Sequence, residues 1–203
     1  MFDVLIIGGG VAGVSCAMVL GSAHKKLFVS DKKIGILTHQ KSSSLQEALF
    51  NNAYGIPAGK LGSELLSESL DQLKSFYPHV EQIGNEKVIS VEGSFPEFKV
   101  TTNKNIYFTK NIVVAIGYSN TFLINGLMQF VENHKKSIPE KNRIQLKNID
   151  HKVAEGIFVA GTLAGWRSQL SIAAGSGAAV ATDILTIWNN GIDAQSHDKI
   201  GVI

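Results

Sequence analysis

The distribution of hydrophobic residues along the chain predicts a protein that alternates strands with helices. Uninterrupted apolar runs of four or five residues are typical of strands buried on both faces of a parallel sheet. Three such runs are present, at residues 4–7, 112–116 and 157–160. A further strand is predicted at 27–30. Short apolar or alternating segments around a glycine–proline turn predict a β-meander, and they lie at residues 87–91, 98–102 and 106–108.

Three helices are predicted from apolar or small residues at helical spacing. They span residues 11–20, 63–76 and 168–188. Ser63 is the expected N-cap of the second helix, and Ser168 or Ser171 is the expected N-cap of the third. A short helix is expected at 127–134, and residues 32–61 have the composition of a loop.

A glycine motif lies between the first apolar run and the first helix. Gly8, Gly10 and Gly13 have the spacing of a dinucleotide-binding turn. The first glycine permits the tight turn, the second lets the backbone approach a pyrophosphate, and the third lets helix and strand pack closely. The free N–H groups at the start of the helix, at Val11 and Ala12, would then face the phosphates.

The ribose of such a ligand is expected to bind an acid at the end of the second strand. Asp31 follows the predicted strand and lies 23 residues after Gly8. An acid here argues against a ligand with a 2′-phosphate. Lys32, beside it, is interpreted as a solvated loop charge, although it is included among the candidate cofactor contacts. Strand, glycine turn, helix and acid together predict a ligand with an adenosine diphosphate end.

The composition excludes several classes of protein. Of 203 residues, 44% are hydrophobic and 18% are charged, which excludes a disordered chain. The formal net charge of +2 is too small to indicate a nucleic acid or an anionic membrane as partner. The single cysteine, Cys16, leaves no intrachain disulfide, no CxxC pair and no cysteine-based zinc site. We expect a cytoplasmic protein without a metal site.

Residues 4–20 carry no charge and have the length of a short apolar span. A membrane span needs about 20 predominantly apolar residues, and a signal sequence has a basic segment ahead of its apolar run. Here Asp3 precedes the stretch and three consecutive glycines interrupt it. We therefore expect no membrane association.

Four segments together resemble the thioredoxin-reductase-like flavoproteins, part of the family with two dinucleotide-binding domains. In that family the segments form the glycine motif with its acid, the part beside the flavin ring, the ATG segment, and the GD motif with the closing helix. The corresponding residues here are 8–13 with Asp31, 52–57 with 62–66, 112–117, and 156–161 with 169–177. The resemblance implies a three-layer α/β fold, an FAD/NAD(P)-binding Rossmann-like domain with a parallel sheet and a β-meander, and non-covalent FAD as cofactor.

The sequence also departs from the family pattern. The family inserts an NADPH-binding domain before the GD motif, whereas here only 38 residues (118–155) occupy that place, without a second GxGxxG. Thr162 replaces the GD aspartate, which binds the ribityl chain in the family, and its hydroxyl can still make one hydrogen bond. We expect a single FAD-binding domain over residues 1–203, formed by 1–117 and 156–190, with 118–155 as a short linker.

The resemblance assigns further candidate contacts. The start of the last helix, at Gln169 and Leu170, would direct backbone N–H groups at the pyrimidine edge of the flavin. Asn52 falls where the family has a polar residue facing the ring, although a turn asparagine explains it equally well. His39 and Gln40 could approach the flavin from the loop after the second strand. The remaining candidates are Val88, Ala115, Gly117 and Gly161.

The expected function is a flavin-dependent oxidoreductase, and no catalytic residue is assigned. Electrons would come from free NAD(P)H, a partner protein or the substrate, since no second nucleotide site is encoded. One alternative is a non-catalytic FAD-binding module that serves as a sensor, carrier or subunit of a complex. Another is a pocket for a different adenine nucleotide, or for no ligand. Because the missing domain would leave an apolar docking surface bare, we also expect a homodimer or a hetero-complex.

Overall fold

A parallel sheet organises the chain, as the buried apolar runs predict. The structure, a computed structural model, describes residues 1–39, 43–118 and 121–198. Its helices within these ranges are α1 (Val11–Ser22), α2 (Gly62–Phe76) and α3 (Leu170–Trp188). The strands are β1 (Phe2–Ile7), β2 (Ile34–Leu37), β3 (Leu49–Phe50), β4 (Lys60–Leu61), β5 (Glu81–Ile83), β6 (Val88–Ser94), β7 (Glu97–Thr102), β8 (Ile106–Val114), β9 (Val131–Asn133), β10 (Ile144–Leu146), β11 (Lys152–Ala154) and β12 (Ile157–Val159).

Five parallel strands form the centre of the sheet in the order β5-β2-β1-β8-β12, and β11 adds an antiparallel edge. The last residues of the five strands lie in register across the sheet, so that the strands end at one common edge. These residues are Ile83, Leu37, Ile7, Val114 and Val159. From β1 the chain crosses to β2 on one side, while β8 lies on the other, so the strand order reverses at β1.

Side chains of the central strands point alternately into two cores. Val4 and Ile6 pack against α1 and α3 on one face of the sheet, and both are fully buried. Leu5 and Ile7 belong to the core on the other face, beneath the β6–β7 meander. The result is the three-layer arrangement that the sequence predicts.

The α1–α3 contact is tight enough to require small residues. A Cβ on Gly177 would lie 2.0 Å from the carbonyl oxygen of Ala12, and Ser15 Oγ donates a hydrogen bond to the carbonyl of Ala174 (2.8 Å). By length and composition alone α3 could cross a membrane, and no other helix in the described ranges could. In the structure it lies against α1 and contributes Ile184 to the core.

The second strand differs from its prediction. Residues 27–30 form turns, and β2 is the later segment Ile34–Leu37, which pairs with β1. Residues 32–61 are therefore not a continuous loop. Gly35 weakens the strand pattern of β2, but the sheet requires it: a Cβ there would lie 2.6 Å from Cε1 of Phe2.

The last strand of the meander is also longer than expected. Residues 106–108 and 112–116 were separate segments in the sequence pattern, whereas β8 joins them in one strand of nine residues. Its first part pairs antiparallel with β7 and its last part pairs parallel with β1. One strand thereby connects the meander to the central sheet.

Two helix predictions were wrong in detail. Residues 127–134 do not form a helix, since a single 3-10 turn (Met128–Phe130) leads into β9. The predicted serine caps are absent, because α2 begins at Gly62 after Leu61 and α3 begins after Gln169, neither with a side-chain cap.

Candidate functional site

The common carboxyl edge of the sheet carries a glycine after three of its strands. Gly8 follows β1 with φ +124°, Gly117 lies three residues after β8 with φ +86°, and Gly161 lies two residues after β12 with φ +74°. Each φ lies in the region that glycine adopts without strain. In an open α/β sheet, ligands bind outside the carboxyl ends of the strands where the strand order reverses. That point lies here between β1 and β8.

The three glycines of the motif have different surroundings. A Cβ on Gly8 would lie 2.4 Å from the carbonyl oxygen of Ala115, and a Cβ on Gly13 would lie 1.8 Å from that of Gly8. These two positions are filled by neighbouring backbone. A Cβ on Gly10 would meet no atom within 4 Å. Gly8 and Gly13 therefore serve packing, and Gly10 leaves open space beside the turn.

The start of α1 is suited to an anion. Gly10 is its N-cap and offers no side chain, and no acidic residue lies in the first turn. The first N–H groups of a helix, here from Val11 onward, have no partner within the helix. Together with the positive end of the helix dipole they attract a phosphate group. The open space at Gly10 gives such a group access.

The residues after β8 and β12 are fixed by hydrogen bonds. Ala115 N–H donates to the carbonyl of Ile7 (2.8 Å), which holds the end of β8 against β1. Gly161 N–H donates to Ser176 Oγ (2.8 Å), which ties this turn to α3. The carbonyl of Thr162 lies 3.1 Å from Nε2 of His134.

The histidine beside Ser176 adds a second tie. His151 Nε2 lies 2.9 Å from Ser176 Oγ and accepts a hydrogen bond from Trp166 Nε1 (3.1 Å). Burial lowers the pKa of His151, which favours the neutral ring that accepts this bond. The turn after β12 and the side chains of His151 and Trp166 are thus tied to α3 at Ser176.

The start of α3 remains uncapped. Gln169 is its N-cap and is exposed, with no side-chain hydrogen bond to the helix, and no acid lies in the first turn. Leu170 is half-buried. The first N–H groups of this helix therefore have no side-chain acceptor at the N-cap.

The structure corrects the prediction that Asp31 and Lys32 contact the cofactor. They precede β2, and Lys33 N–H donates to Asp3 Oδ2 (2.9 Å) at the amino end of β1. The six residues of β1 span roughly 20 Å at about 3.3 Å per residue, so the two side chains lie at the edge opposite the glycine turn. There they form an exposed ion pair with each other (2.9 Å). Neither can contact a ribose bound at the carboxyl edge.

The position after β2 is occupied by Thr38 and His39. Thr38 N–H donates to the carbonyl of Ile83 (2.9 Å), and His39 is exposed at the carboxyl edge. From the sequence, His39 was expected only in a loop from which it could approach the flavin, and Thr38 was not a candidate. The apolar run 34–37 was the signal that could have identified Thr38.

The remaining candidates have separate surroundings. Val88 is buried at the start of β6, in the same core cluster as Leu37 and Ile83 at the carboxyl edge. Asn52 is exposed in the loop that joins β3 to β4. Gln40 lies outside the described residues.

Comparison with known proteins gives one family and one fold. Residues 2–174 match the family described as pyridine nucleotide-disulphide oxidoreductase. The ferredoxin–NADP reductase 1 of Listeria welshimeri is 30% identical over 165 residues, which cover 79% of this chain and 47% of that protein. The chain therefore spans about half the length of the curated relatives that it matches.

Solved structures with little sequence identity share the fold. A thioredoxin reductase from Gloeobacter violaceus has a TM-score of 0.72 at 17% identity, covering 98% of this chain and 98% of that chain. A ferredoxin-flavin thioredoxin reductase from Clostridium acetobutylicum has a TM-score of 0.67 at 19% identity, covering 93% of this chain and 98% of that chain. The predicted Rossmann-like α/β fold and the thioredoxin-reductase-like resemblance are confirmed.

Proposed function

The chain belongs to the pyridine nucleotide-disulphide oxidoreductase family, and from this premise we propose that it is an oxidoreductase that binds FAD non-covalently at the carboxyl edge of its sheet. One observation carries the proposal. The open space at Gly10 lies beside the uncapped start of α1, at the point where the strand order reverses. When bound, FAD supplies an isoalloxazine ring that accepts and releases electrons.

The proposed contacts follow the edge of the sheet. The glycine turn and the first N–H groups of α1 would hold the pyrophosphate, and the turns after β8 and β12 would hold the ribityl side. The uncapped start of α3 would face the ring. The residues concerned are Gly8, Gly10, Val11, Ala12, Gly13, Ala115, Gly117, Gly161, Thr162, Gln169 and Leu170. His39 and Val88 would lie toward the adenosine end, while Gln40 and Asn52 stay predictions from the resemblance alone.

Electrons would pass between the cofactor and a partner outside this chain. The family relatives include proteins named ferredoxin–NADP reductase, which supports NAD(P)H or a protein as donor. Cys16 is the chain's single cysteine and is fully buried, and burial raises the pKa of its thiol. A buried, protonated thiol is a poor nucleophile. We therefore propose a reaction that uses no disulfide of this chain and no nucleotide domain within residues 118–155.

An absorption experiment tests the proposal. The purified chain is titrated with FAD, and the complex is then treated anaerobically with NADH and with NADPH. We expect saturable binding with a shifted flavin spectrum, followed by bleaching by a nucleotide or by a reduced protein donor. Protein that cannot be loaded with FAD would refute the proposal.

A non-catalytic FAD-binding module is the second candidate. The observation that favours it is Thr162, which stands where the family has the aspartate of its GD motif. FAD that binds but is reduced by neither nucleotide, nor by a reduced protein donor, would support this candidate. A homodimer or hetero-complex and a cytoplasmic location stay predictions, and light scattering at micromolar concentration tests the first of them.

A further inference from the structure

A cavity of about 340 Å³ lies beside the carboxyl edge of the sheet, and its lining is strongly cationic. Four basic side chains line it: Lys136, Lys141, Arg143 and Arg167. Among the described residues no carboxylate lines this cationic cavity. It adjoins the proposed FAD site, because Tyr118 in its wall follows Gly117 directly.

Both arginines of the chain are in this lining, although the chain has 19 lysines and arginines in all. The guanidinium group offers a planar fork of N–H donors that matches phosphate or carboxylate oxygens in pairs. Two arginines in one concave lining therefore indicate recognition of an anionic group more strongly than scattered surface lysines do.

Aromatic rings hold two of the cations in place. Cζ of Arg143 lies 4.2 Å from the ring centre of Tyr118, and Nζ of Lys136 lies 4.1 Å from that of Trp166. Arg167 Nη1 also donates a hydrogen bond to the carbonyl of Lys136 (3.3 Å). Because these side chains are already ordered, an anion that binds them loses less conformational freedom in the process.

The four cations lack ion-pair partners among the described residues. None of them lies in an ion pair there, whereas the adjacent Lys135 pairs with Glu132 (2.8 Å). Like charges gathered in one concave lining repel each other, and a bound anion relieves that repulsion.

We propose that the cationic cavity binds a small molecule that carries phosphate groups. Ligand pockets span about 300–1,000 Å³, and the volume of this cavity is at the lower end of that range. A cavity of this size fits a small phosphate ester better than a segment of a partner protein. The proposal does not require bound FAD, since none of the proposed FAD contacts is among the residues that line the cavity.

Calorimetric titration of the full chain with sodium pyrophosphate at low salt tests the proposal, and succinate serves as the dicarboxylate comparison. We expect saturable binding of pyrophosphate that is tighter than that of succinate. Arg143→Gln and Arg167→Gln should each weaken it about tenfold or more, because each removes a charged hydrogen-bond donor. Arg143→Lys keeps the charge but loses the planar fork of donors, so its affinity for pyrophosphate should lie between those of the parent and of Arg143→Gln.

Lys74→Gln is the matched control, since Lys74 is an exposed lysine at the end of α2. It should leave the affinity within about twofold of the parent value. Pyrophosphate bound at the glycine turn instead would be insensitive to both arginine substitutions, and that result would overturn the proposal. No saturable binding, or tighter binding of succinate, would overturn it as well.

Circular dichroism checks that each variant is folded, and Arg167→Gln keeps the test available if Arg143→Gln does not fold. The FAD titration of the same samples distinguishes the two proposals, because a parent chain that binds FAD but not pyrophosphate would refute only the cationic cavity.

Discussion

Replacing two glycines of the motif by alanine separates binding from packing. At Gly10 the backbone has φ −81° and an added methyl group meets no atom within 4 Å. Alanine caps a helix somewhat less well than glycine, but it also reduces the freedom of the unfolded chain by a comparable amount, so the net change in stability should be about 0.5 kcal/mol or less. At Gly13 the methyl carbon would lie 1.8 Å from the carbonyl oxygen of Gly8. Overpacking of this kind lowers stability by about 1–3 kcal/mol.

Thermal unfolding and FAD titration measure the two effects. For a chain of this size, about 1 kcal/mol changes the Tm by roughly 2–4 °C. Gly10→Ala should therefore melt within about 2 °C of the parent, while its FAD affinity falls by about tenfold or more, because the methyl group occupies the space that the pyrophosphate approaches. Gly13→Ala should melt lower by roughly 2–12 °C. Unchanged FAD affinity in a stable Gly10→Ala variant would refute the assignment of Gly10 to the phosphates.

Three further predictions follow from charged and titratable groups. Asp31→Asn should leave FAD affinity within about twofold of the parent in the same titration, because this side chain lies at the opposite edge of the sheet. Glu86 is buried and accepts hydrogen bonds from three side chains. Glu86→Gln should therefore lower the free energy of unfolding by about 1–3 kcal/mol in urea titrations. The control Glu97→Gln, at an exposed position, should change it by about 0.5 kcal/mol at most. Burial and the stacked His24 (4.4 Å between ring centroids) lower the pKa of His79, so the unfolded chain binds its proton more readily. Stability should therefore fall as the pH drops below about 6.5, the ordinary histidine pKa, and His79→Gln should reduce that fall between pH 7.5 and 5.5.

The sequence was sufficient where a local pattern determines the structure. Residues 4–7 and 157–160 are buried on both faces of the sheet, so their uninterrupted apolar character identifies them without knowledge of their neighbours. The glycine motif is local too, since Gly8 and Gly13 contact each other across one turn. These elements define the carboxyl edge, and they were predicted correctly.

The sequence was insufficient where a distant partner determines the structure. Gly35 reads as a loop residue on its own, and its place in β2 depends on the ring of Phe2, 33 positions earlier. Because β2 was not predicted at its true position, the rule that an acid follows the glycines by about 20 residues led to Asp31. Register across a sheet is a non-local property, and an error of a few residues moved a candidate from one edge to the other.

Residues 118–155 were expected to form only a linker, and here too the sequence was insufficient because distant contacts determine the structure. A linker exposes its side chains, but Leu127 and Leu146 of this segment are fully buried in the core beneath the meander. His134 of the same segment lies 3.1 Å from the carbonyl of Thr162 at the proposed ribityl turn. The segment also provides three of the four cations in the cationic cavity. Because this segment contributes to both the proposed crevice and the cationic cavity, a change that loosens the packing of Leu127 or Leu146 should alter both sites together.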